Sequence, residues 1–114
     1  MKLRRKSSLK ENKRYIVFRI HSQEKINYSN AKNAVFNSLD HWLGERELAK
    51  ANVRFIQNLW DPRKQQGFIR CSHRYVDAVK VGLSLIHQIG DSKVIFQTLR
   101  VSGTIKSAKK KTSN

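Results

Sequence analysis

The chain has 114 residues and carries 24 Lys and Arg against 8 Asp and Glu, a formal net charge of +16. That length suggests one domain, and a positive excess of this size points to a dense polyanion, nucleic acid above all, as the partner that relieves its self-repulsion. No apolar run of about 18 residues is present and no apolar stretch follows the charged N-terminus, so neither a membrane span nor a secretory signal, and no membrane partner, is expected.

Eleven of the cations crowd the two ends: Lys2, Arg4, Arg5, Lys6, Lys10, Lys13 and Arg14 at the start, and Lys106, Lys109, Lys110 and Lys111 at the finish. Residues 1–13 hold only Met1, Leu3 and Leu9 as apolar side chains. They read as a flexible basic arm that cannot bury enough surface to order itself. Residues 14–21 alternate, with Ile16, Phe18 and Ile20 on one face and Tyr15, Val17, Arg19 and His21 on the other, which predicts a strand. Ser29 is a candidate N-cap. Ala31, Val35, Leu39, Trp42 and Leu43 then recur at helical spacing, predicting a helix over 30–43 that Gly44 stops. A second strand is predicted over 52–60. A turn containing Pro62 and Gly67 follows, and a third strand occupies 68–71. Ser72 caps a second helix over 73–88, ended by Gly90, and a fourth strand runs over 92–101. Ser102 and Gly103 break it, and residues 106–114 read as a basic C-terminal tail.

The order β-α-β-β-α-β predicts an α+β, ferredoxin-like sandwich over residues 14–105. It implies a four-stranded antiparallel sheet, both helices on one face, the other face open, and flexible tails. In the second helix Val76, Val79, Leu83 and Ile86 form the stripe expected to meet the sheet. Ala78, Val81 and Leu85 are then the candidates for a protein interface. Cys71 is the only cysteine and lies in an apolar run, which suits a core residue in a reducing cytoplasm.

Catalytic chemistry is thin. The acids fall without a paired spacing, and His21, His41, His73 and His87 stand apart. No catalytic residue, metal ligand set or Gly-rich phosphate loop is expected, and no cofactor. Base stacking in the manner of an RNA recognition motif has weak support, because the third strand keeps Gly67 and Phe68 but lacks the later aromatics. Tyr15 and Phe68 remain a candidate platform. The charge alone leaves open a basic RNA-binding protein of any ribonucleoprotein particle, such as a ribosomal protein. A small ferredoxin-like enzyme and a homodimeric ligand sensor also stay open.

One junction is more specific. Residues 96–106, Phe-Gln-Thr-Leu-Arg-Val-Ser-Gly-Thr-Ile-Lys, resemble the closing signature of archaeal ribonuclease P protein component 2, a family shared with a eukaryotic ribonuclease P/MRP subunit. Residues 13–16 (Lys-Arg-Tyr-Ile) resemble its opening strand, and 67–71 (Gly-Phe-Ile-Arg-Cys) its third strand. The resemblance implies a subunit that binds and stabilises the catalytic RNA removing the 5′ leader from precursor tRNA. It implies no active site in the protein, Mg²⁺ used by the RNA, and work beside ribonuclease P protein component 3, with two copies of each in a heterotetramer. Ribonuclease P RNA is the direct partner and precursor tRNA the substrate of the assembly. The expected RNA contacts are Arg4, Arg5, Lys6, Lys13, Arg14, Arg100, Lys106, Lys109, Lys110 and Lys111, with Arg63 and Lys64 as secondary candidates.

Overall fold

A computed structural model describes residues 12–112. Five strands, β1 (Lys13–Ser22), β2 (Arg54–Phe55), β3 (Gln66–Ser72), β4 (Gln88–Ile89) and β5 (Ser92–Ser102), form one antiparallel sheet in the order β2-β3-β1-β5-β4. The helices are α1 (Tyr28–Ala51), α2 (Val76–Ser84) and α3 (Ile105–Thr112).

The period-two pattern of β1 determines the layering. Ile16, Phe18 and Ile20 are buried beneath Ala31, Val35 and Leu39 of α1 and Val79 and Leu83 of α2. Phe18 stacks on Phe96 at 5.4 Å and meets the edge of Phe55 at 5.6 Å. Such pairs add about 0.5–1.5 kcal/mol each beyond the area they bury. Gly67 lies opposite Phe18 in the β1–β3 ladder. A Cβ there would come within 2.7 Å of the Phe18 ring, so the strand keeps a glycine where the aromatic cluster needs room. Gly82 does the same for α2, which presses on Leu39, while Ser38 Oγ donates to the Gly82 carbonyl at 2.7 Å.

The α+β class holds, but the sheet has five strands rather than four and the helices occupy both faces. The short hairpin of β4 and β5, turned by Gly90 at φ 62, supplies the extra strand. Gly90 therefore closes a strand turn instead of the second helix. That helix is shorter than its pattern suggests: a 3-10 turn over His73–Tyr75 precedes α2, and Ile86 is buried after the helix has ended. The strand predicted over 52–60 pairs for two residues only; a 3-10 turn over Gln57–Leu59 then carries Ile56 and Leu59 to the opposite face. Helix α1 starts two residues early, because Asn27 rather than Ser29 caps it, its side chain accepting from the Asn30 N–H at 2.8 Å. Gly44 (φ 86, ψ 161) leaves the helical conformation, so it does stop the first helix as expected, and α1 is two helical segments joined at a kink there. Beyond the bend, Tyr75 Oη donates to Glu47 Oε1 at 2.7 Å, a bond that holds the Glu47 carboxyl below its usual range.

The C-terminal segment, expected as a flexible tail, is helical to Thr112. Thr104 Oγ1 accepts from the Ser107 N–H at 3.1 Å, an N-cap bond. Ala108 is wholly buried against Val17 and Phe68, so α3 covers part of the sheet face that was expected to be open. An isolated helix of eight residues is unstable in water; the cap and the docking site stabilise it. Phe68 is consequently buried and joins Tyr15 in packing beneath α3, which removes the base-stacking platform.

Candidate nucleic-acid interface

The face that carries α3 is built from β1, β2, β3 and β5. Cross-strand partners share a face, so the register shows what lies there. Arg54 is opposite Arg70, and Arg70 is opposite Tyr15. In the next row Val17 lies between Phe68 and Arg100. Beyond it Arg19 lies between Gln66 and Gln97. A bulge in β5 shifts the register between Val17 and Phe18, so Leu99 is the extra residue and packs in the cluster beneath α3 with Val17.

Like charges directly opposite each other are destabilising, and Arg54 and Arg70 are placed that way. The Nε atoms of Arg70 and Arg100 are shut off from solvent, and neither has a hydrogen-bond partner among the described residues. Leaving such a donor unmet costs about 1–3 kcal/mol. Phosphate oxygens answer the first problem, being charged acceptors that guanidinium groups bind; the two Nε donors face inward, beyond their reach. Exposed Lys106 and Lys109 stand on α3 beside this face.

The register thus gathers Lys13, Arg100 and the α3 lysines into one region, because β1 begins where β5 ends: Tyr15 pairs with Ser102. Arg14, by the alternation of β1, belongs to the face of α1 and α2, and its Nη1 donates to the Lys13 carbonyl at 3.0 Å. Arg63 and Lys64 are exposed at the β2–β3 connection, toward the other end of β1. Arg4, Arg5 and Lys6 lie outside the described residues, and of Lys110 and Lys111 only the helical backbone is within them. Sequence reasoning missed Arg19, Arg54 and Arg70. The alternation of β1 already set Arg19 apart from the core; Arg54 and Arg70 required the strand register.

On the opposite side, α1 and α2 expose Trp42 (47 %), Val81 (40 %) and Leu85 (50 %), with Ala78 half-buried nearby. The spacing of Trp42 suggests a core position, but its ring lies over Gly82, outside the core. Cys71 is buried in β3, and burial pushes its thiol up to about 11, away from the range of a reactive thiolate. Among the described residues no group of three or more His, Cys, Asp or Glu is placed to hold a metal ion. No described helix is long and apolar enough to cross a membrane.

Comparison with known proteins adds an independent line. The model of the Rpp14/Pop5 family matches residues 14–113. Ribonuclease P protein component 2 of Pyrococcus furiosus is 38 % identical over 104 residues, covering 91 % of this chain and 85 % of that protein. The component 2 protein of Archaeoglobus fulgidus is 36 % identical over 91 % of both chains. That of Methanocaldococcus jannaschii is 33 % identical over 90 % of this chain and 73 % of its own. A chain in the cryo-EM structure of yeast ribonuclease MRP shares the fold, with a TM-score of 0.65 at 14 % identity, covering 91 % of this chain and 93 % of that one.

Proposed function

The chain belongs to the Rpp14/Pop5 family, and on that premise we propose that it is a protein subunit of ribonuclease P, binding and stabilising the catalytic RNA that removes the 5′ leader from precursor tRNA. The observation that carries this reading is the family match along nearly the whole domain. The chemistry of the α3 face supports it: a like-charged arginine pair, with Arg100 and the α3 lysines nearby, suits an RNA backbone. A folded RNA repels itself wherever its phosphates crowd. Fixed guanidinium and ammonium groups reduce that repulsion and lower the Mg²⁺ the RNA needs. The hydrolysis and its Mg²⁺ belong to the RNA, and this chain supplies charge and shape.

The finer assignments rest on the same premise. Lys13, Arg100, Lys106 and Lys109, joined by Arg54 and Arg70, form the main RNA contact. Trp42, Val81 and Leu85, with Ala78 at their margin, form the surface for a companion protein, ribonuclease P protein component 3. A second copy of each completes a heterotetramer in the cytoplasm. The order β2-β3-β1-β5 supports a ferredoxin-like core to which β4 and α3 are additions.

Reconstitution tests the reading. The RNA, component 3 and this chain together are expected to remove the leader at a Mg²⁺ concentration where the RNA and component 3 alone do not. Equal activity with and without the chain, across a Mg²⁺ titration, rules the reading out.

A further inference from the structure

The sheet face carries a second basic site, apart from the one beside α3. At the far end of β1 a pocket of about 310 Å³ is lined by Arg19, His21, Lys25, Arg63, Lys64 and Gln65. Four of these six are permanent cations, and the one acid in the lining, Glu24, accepts from Ser92 Oγ at 3.1 Å on β5.

The backbone of the pocket is fastened although it is made of loops. Gln65 is buried and sits at φ 52. Its Nε2 donates to the Ile20 carbonyl and to Ser22 Oγ, both at 3.0 Å, and its Oε1 accepts from the Ile26 N–H. Its backbone carbonyl accepts from the Ile20 N–H at 2.8 Å. One side chain therefore fastens the connection that bears Arg63 and Lys64 to the segment that bears Lys25. Asp61 Oδ1 accepts from the Arg63 and Lys64 N–H groups at 2.9 and 3.2 Å, which fixes the tip. Lys25 Nζ donates to the Pro62 carbonyl at 3.2 Å across the pocket. His21 Nε2 donates to Gln97 Oε1 at 2.7 Å, so its ring is held as well.

A fixed backbone around a small hollow sets where these cations stand and lowers the ordering cost of binding an anion, though the exposed side chains of Arg19, Arg63 and Lys64 still order on binding. The four charges differ in kind. Arg19 and Arg63 offer planar forks for two oxygens of one phosphate, and Lys25 and Lys64 act as point charges.

We propose that this pocket binds one phosphate group of an RNA strand, as a site separate from the α3 face. Arg19 lies four residues along β1 from Tyr15, about 13 Å at 3.3 Å per residue, and α3 packs on the Val17–Phe68 row between them. The chain therefore contacts two stretches of RNA backbone at once and fixes their spacing. This inference rests on the RNA-binding reading above.

The test measures RNA affinity of the full chain against salt for three proteins: the unaltered chain, Arg63→Gln/Lys64→Gln and Lys106→Gln/Lys109→Gln. By the duplex value of about 0.9 per phosphate contact, Lys106→Gln/Lys109→Gln, which removes two contacts, flattens the salt slope by about 1.8, roughly a tenfold difference in affinity loss between 50 and 200 mM salt, and Arg63→Gln/Lys64→Gln, which empties the one-phosphate pocket, flattens it by about 0.9, roughly a three- to fourfold difference. Each double variant is expected to show its own change. If only Lys106→Gln/Lys109→Gln changes the slope, the pocket proposal is overturned while the RNA-binding reading stands. If neither pair changes it, that reading falls too. Titration with inorganic phosphate, followed by the amide resonances of residues 63–65, distinguishes the source: millimolar phosphate that saturates the pocket without displacing RNA overturns the assignment to an RNA strand.

Discussion

Ala108→Gln tests whether the docked position of α3, rather than the charge of its lysines, delivers RNA affinity. Ala108 is fully buried against Val17 and Phe68. Its methyl group, the half-buried Ile105 and the apolar surface beneath them hold α3 down by on the order of 2–3 kcal/mol. A glutamine there overfills the contact, at about 1–3 kcal/mol, and buries an unpaired amide, at about another 1–3 kcal/mol. The sum matches or exceeds the docking energy, so α3 leaves the sheet. The larger core of α1 and α2 sits on the other face and stays folded. Net charge is unchanged. The lysines must then be ordered during binding, and a cost of about 1.4 kcal/mol is a tenfold loss of affinity. RNA titration at several salt concentrations, with amide hydrogen exchange, is the assay. The expected result is roughly tenfold weaker binding, an unaltered salt slope, and protection lost in α3 but kept in β1. Thr104→Ala, which removes the cap bond at about 1 kcal/mol, should act in the same direction with a smaller effect. Unaltered RNA affinity from a protein whose α3 has lost its protection would refute the reasoning.

Other outcomes follow from the same structure. Arg54→Gln/Arg70→Gln is expected to relieve a like-charged pair, so the melting temperature holds or rises while RNA binding weakens and its salt slope drops; a lower melting temperature would mean that the pair is structural. Gly67→Ala pushes a methyl group into the Phe18 ring, which Phe55 and Phe96 hold in place. Overpacking of about 1–3 kcal/mol outweighs the gain of up to about 1 kcal/mol from losing glycine, and calorimetry should show a melting point several degrees lower. Cys71 has a folded pKa raised to about 11 from 9.0. Its neutral thiol thus contributes stability that is present below pH 9 and lost as pH rises through 11. Denaturant unfolding over that window should show the unaltered chain losing up to roughly 2–3 kcal/mol relative to Cys71→Ala, at about 1.4 kcal/mol per unit.

The long elements were legible in the sequence because burial imposes a period. Ile16, Phe18 and Ile20 declare a half-buried strand, and Val79 and Leu83 declare the core side of α2. What was hidden depends on contacts distant in sequence. The last helix has a capping threonine and an alanine one turn on, but so short a segment reads as a tail until the Val17–Phe68 surface is known to be beneath it. The strand expected over 52–60 stops after Phe55 because its further apolar residues, Ile56 and Leu59, belong to the second cluster. The end cations were visible as composition. Arg54 and Arg70 joined them only through a cross-strand register that no local pattern encodes. Trp42 shows the opposite failure: helical spacing assigns it to the core, and the close approach of α2 at Gly82 leaves it outside.

The central claim is that this chain acts on RNA through charge held in a fixed shape. Backbone footprinting of the ribonuclease P RNA, with and without the chain, tests it most directly. Two patches of protected phosphates are predicted, one of them weakened when Arg54, Arg70, Lys106 and Lys109 are replaced by glutamine. A backbone that cleaves identically whether or not the chain is present would contradict it.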